Sequence, residues 1–72
     1  MKKSILESVV WKEDKYYVAQ CLNIDVSSFG ESKEEALRNL DEALALYLED
    51  ENHETIQKVE SPEIVRMSVK YA

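Results

Sequence analysis

The chain has one cysteine, one histidine, one glycine and one proline among its 72 residues. A single cysteine excludes an internal disulfide. With a single histidine beside it, the four ligands of a structural zinc site are not to be had from Cys and His. One glycine excludes a Gly-rich phosphate loop. No apolar run is long enough to span a bilayer. Met1-Lys2-Lys3 is not followed by the apolar stretch of a secretion signal. A lone Cys without such a signal predicts the reducing cytoplasm and no membrane. Basic charge is also scarce: nine Lys and Arg stand against fifteen Asp and Glu, for a net charge of −6. A chain of pI about 4.7 does not attract nucleic acid phosphates through its overall field. It attracts a basic partner.

What is present describes a folded domain. Apolar residues make up 44% and charged residues 33%, the profile of a packed chain, not a disordered one. A mass of 8.4 kDa predicts one domain over residues 1–72. A domain this small buries only about 60% of the surface its unfolded chain exposes. Such domains usually need a staple, and with disulfide and metal excluded, good packing and association with another chain remain.

Residues 4–12, rich in β-branched and aromatic types, predict a strand. Glu13-Asp14-Lys15 is a polar break, and residues 16–22 read as the return strand of a hairpin. Asn23-Ile24-Asp25 is a second break before a short third strand over 26–29, stopped by Gly30. Ser32 and Glu35 have capping-box spacing. The run 33–50 has no Gly or Pro and predicts a helix. Its apolar stripe is Ala36, Leu37, Leu40, Ala43, Leu44, Tyr47 and Leu48, with Leu46 outside it. A polar linker over 51–63 carries Pro62. Residues 64–71 alternate, with Val65, Met67, Val69 and Tyr71 on one side and Arg66, Ser68 and Lys70 on the other.

The expected fold class is therefore α+β with the order β-β-β-α-β. The last strand should pair parallel to the first, giving a four-stranded mixed sheet of order 3-2-1-4 with one helix on one face. Yet the first two strands are apolar on both sides. Ile5, Val9 and Trp11 oppose Leu6 and Val10; Tyr17, Ala19 and Cys21 oppose Tyr16, Val18 and Leu22. One helix cannot cover both faces, so another chain is expected on the second.

No set of residues points to catalysis. His53 lies in a polar linker, which gives a general base neither partner nor pocket. Cys21 reads as a packing residue. Glu7 is the only acid in the first strand, too few for a two-carboxylate metal site. Trp11, Tyr16 and Tyr17 lack the basic groove that base stacking needs. Neither an enzyme, a metal nor a cofactor is expected. The candidate contact residues are Trp11, Tyr16 and Val18 for an apolar surface, and Glu34, Asp41 and Glu42 for an electrostatic one. Which side chains of the strands meet the helix depends on whether the first turn has two or three residues.

The segments Tyr16-Tyr17-Val18-Ala19-Gln20-Cys21-Leu22, Val26-Ser27-Ser28-Phe29-Gly30-Glu31-Ser32 and Glu34-Glu35-Ala36-Leu37-Arg38-Asn39-Leu40-Asp41-Glu42-Ala43 resemble, in that order, the HicB-like antitoxin family. The resemblance covers residues 4–50. It implies a degenerate RNase H-like domain without nuclease activity. It also implies the partner: a small basic HicA-type ribonuclease toxin that cleaves mRNA and is held inactive by the antitoxin. The acidic charge suits such a partner. Two features depart from the family pattern. Leu22-Asn23-Ile24-Asp25 stands where many members carry a Pro-Glu-Leu-Pro-Gly turn. Full-length members add a C-terminal DNA-binding domain, which residues 1–72 do not contain, so no nucleic acid binding is expected of this chain alone. The alternative expectation is a solitary homodimeric regulatory domain that uses the uncovered face to pair with itself.

Overall fold

A computed structural model describes residues 5–49 and 56–71. Strands β1 (Ser8–Glu13), β2 (Tyr16–Cys21) and β3 (Ser27–Gly30) precede one helix, α1 (Lys33–Glu49). The strands form an antiparallel sheet in the order β1-β2-β3.

The first turn settles the parity of the whole sheet. Glu13 pairs with Tyr16, so Asp14-Lys15 is a two-residue turn. Asp14 has a φ of 57°, as tight hairpin turns require at their first central residue. Counting from this turn, Val10 lies opposite Ala19 and Ser8 opposite Cys21. Ala19 and Cys21 are buried together with Ala36 and Leu40 of the helix, and Val10, Tyr17, Leu44 and Leu48 pack around them. This is the core, and it lies between α1 and one face of the sheet. The helix packs mainly on β2 and β3 and touches β1 least.

Small residues make this contact close. A Cβ on Gly30 would stand 2.7 Å from the Ala36 backbone nitrogen, so only glycine lets β3 run directly into the start of α1. The Glu35 N–H donates to Ser32 Oγ at 3.1 Å, and the Ala36 N–H donates to the Ser32 carbonyl. Ser32 is therefore the N-cap. The expected capping box is altered in its second half. Glu35 Oε1 accepts from the Glu31 N–H instead of that of Ser32. Asn39 Nδ2 donates to the Phe29 carbonyl at 2.9 Å and ties the helix back to β3. Leu46 is 69% exposed, as its place outside the stripe predicts.

The break after β2 does more than turn the chain. Asn23 and Ile24 are both buried. Asn23 Oδ1 accepts from the Glu7 N–H at 2.7 Å, and its Nδ2 donates to the Gln57 carbonyl at 2.7 Å. The Gln57 N–H donates in turn to the Asn23 carbonyl. One side chain thus joins the entry to β1, the β2–β3 connection and the segment after the helix. Ile56 packs on the core beside it. The expected linker is anchored here and is not uniformly solvated. His53 and the end of the predicted helix at Asp50 lie outside the described residues.

The architecture is α+β, a three-stranded antiparallel sheet under one helix. The expected fourth strand is not formed. Residues 64–71 have no regular secondary structure and are exposed throughout. Alternation supplies the pattern of a strand, but a ladder also needs an edge within reach. Ser61 has a φ of 50°, and Pro62 after it has no N–H to donate. Both stand at the entry to the alternating segment, where a ladder along β1 would have to begin.

Candidate interaction surface

Alternate residues of the same strands build the face opposite the helix. Trp11 lies across from Val18 and Glu13 from Tyr16. Val18 lies across from Phe29. Trp11, Tyr16 and Val18, expected to form an apolar contact, therefore share one face. Phe29 completes it. Its ring meets that of Tyr16 edge-on, with centroids 6.0 Å apart and planes at 78°. Glu13, Tyr16, Val18 and Phe29 line a shallow hollow. At its rim the Trp11 Nε1–H donates to Glu13 Oε2 at 2.9 Å.

No described element covers this face. Trp11 is 41% exposed, Tyr16 49% and Phe29 62%. Three aromatic rings on one side of a small sheet are more than scattered surface apolar residues account for. Phe29 was not singled out in the sequence. Its side becomes readable only once the two-residue turn and the β2–β3 register are known, which place it directly opposite Val18.

The acidic candidates do not join this surface. Glu34, Asp41 and Glu42 are exposed residues of α1, and α1 lies on the other side of the sheet. The helix carries five acids against two bases, with Glu34 and Glu35 in its first turn, where the helix dipole favours negative charge. That placement accounts for two of its acids without a partner. Cys21, 2% exposed, is part of the core. Among the described residues no group of three or more His, Cys, Asp or Glu could hold a metal. None of the described helices is long and apolar enough to cross a membrane.

These features define a small α+β domain with one sealed and one open sheet face, the open one aromatic. The chain belongs to the family of unknown function DUF7387, whose model matches residues 3–69. Comparison with curated proteins and with solved structures finds no match.

Proposed function

We propose that this chain is a non-enzymatic binding module of the cytoplasm, and that its open sheet face sequesters a small basic protein. The observation that carries this reading is the exposed rings of Trp11, Tyr16 and Phe29 around half-buried Val18, on a chain of net charge −6. An apolar centre supplies affinity, and the acidic surroundings speed encounter with a basic partner. The resemblance to HicB-like antitoxins gives the partner its class, a HicA-type ribonuclease toxin. On this reading the domain is a degenerate RNase H-like unit with strand order 3-2-1-4, in which residues 64–71 supply the fourth strand. It acts by covering the toxin's RNA surface, with no cofactor and no nucleic acid contact of its own.

Co-expression with a small basic toxin encoded beside this chain tests the proposal. Relief of growth arrest and a complex on a sizing column are the expected results. Continued arrest with no complex contradicts it. The bare aromatic cluster also favours a second reading, a homodimer paired through the same face. In that case the purified chain runs at twice its mass, and Phe29→Asp makes it monomeric.

A further inference from the structure

Residues 64–71 form an arm. Its apolar side is almost fully in solvent: Val65 is 67% exposed, Met67 77%, Val69 67% and Tyr71 89%. The chain has a radius of gyration of 14.2 Å, against about 11 Å for a compact chain of its length. Its longest dimension is 48 Å and the other two are 27 and 22 Å. Eight residues of extended chain reach about 26 Å, enough to account for that elongation.

The molecule also has a vacancy that fits this arm. β1 is an edge strand, paired only with β2, and α1 hardly reaches it. An edge of unpaired N–H and C=O groups beside a half-covered face is a template for an added strand. The arm starts next to it: Pro62 and Ile64 line a hollow with Val9, Trp11 and Leu22. Ser61, with its left-handed φ, and Pro62 bring the chain to this hollow, and from Ile64 onward every residue to Tyr71 is exposed. A short strained hinge between a docked segment and an extended one favours exchange between copies.

Charge points the same way. The arm's only charged residues are Arg66 and Lys70, while the chain as a whole carries −6. The remainder is therefore −8; along β1 and its ends Glu7, Glu13 and Asp14 stand beside Lys12 and Lys15, a small acidic excess. A basic strand seated on an acidic body offsets the repulsion between two like-charged copies.

We infer that this chain forms a strand-exchanged dimer, in which residues 64–71 of each copy pair along the β1 edge of the other. The fourth strand that the sequence predicts is then supplied in trans. This uses the edge of the sheet and not its open face, so it stands or falls separately from the proposed partner.

Sedimentation of the purified chain at tens of micromolar is expected to give twice 8.4 kDa. The double variant Val65→Asp/Val69→Asp should return it to the single-chain mass with an unchanged helical circular dichroism signal, because the arm lies outside the core. The double variant Tyr16→Ala/Phe29→Ala, on the open face and outside β1, should remain dimeric. In a dimer mixed from labelled and unlabelled copies, isotope-filtered NMR should show contacts from the Val65 and Val69 methyls of one copy to β1 of the other. A single-chain mass for the unmodified protein overturns the inference. So do contacts confined within one chain, which mean that the arm folds onto its own edge. A dimer that survives the arm variant and is lost in the Tyr16/Phe29 variant overturns it too, in favour of face-to-face pairing.

Discussion

On one side of the sheet, Ala19 and Cys21 are sealed against Ala36 and Leu40, and none of the four is more than 2% exposed. On the other side, a single residue away along the same strands, Trp11, Tyr16 and Phe29 stand in solvent. At the closest approach of helix and sheet the covered face uses small side chains, Ala19, Cys21 and Ala36, with Tyr17 and Val10 packed around them, whereas the open face carries three aromatic rings. This is the reverse of what a core alone would select, because burying an aromatic ring removes far more apolar surface from water than burying an alanine. Small residues let the helix sit close, as the approach to Gly30 illustrates. Large flat residues on an uncovered face are what a binding surface uses. The two faces thus divide stability from recognition between alternate positions of the same strands.

Substitutions on the two faces should separate in size. Leu40→Ala, in the covered core, should destabilise the chain most, by about 2–5 kcal/mol, read from the urea midpoint. Asn23→Ala breaks the side-chain staple between Glu7 and Gln57 and takes the partner from the Glu7 N–H and the Gln57 carbonyl. It should cost about 1–3 kcal/mol. It should also speed amide exchange at Glu7 and Gln57 before the rest of the sheet. Ser32→Ala removes the N-cap acceptor and should cost about 1 kcal/mol, with fraying confined to the first turn of α1. Phe29→Ala, on the open face, should cost least, about 0.5 kcal/mol for the lost edge-on contact with Tyr16. A Phe29→Ala loss as large as that of Leu40→Ala would mean that the open face is structural, and the division would fail.

The order of strands and helix was legible because each carries a local signal. The strands show apolar runs broken by polar turns, and the helix shows a capped stripe without Gly or Pro. Parity was not legible. It hangs on the length of one turn, and Asp14-Lys15 could be counted as two residues or, with Glu13, as three. The role of Asn23 was hidden for a different reason. A polar residue in a break looks like turn chemistry, and its bond to Gln57 spans a long stretch of chain that no local pattern reports. Residues 64–71 show the converse case. They alternate as a half-buried strand does, yet form none in the structure, because alternation says nothing of whether an edge will pair with it. Of the contact candidates, Trp11, Tyr16 and Val18 were readable from composition and alternation. Glu34, Asp41 and Glu42 were drawn from charge alone, and the fold places them on the other side of the sheet.

The most direct test compares stability and binding in one variant, Trp11→Ala/Phe29→Ala. Its urea midpoint and its complex with a co-expressed basic toxin are measured beside those of the unmodified chain. The expected result is an unfolding free energy within about 1 kcal/mol of the original and loss of the complex. An intact complex, or a fold that collapses with the two rings, would contradict it.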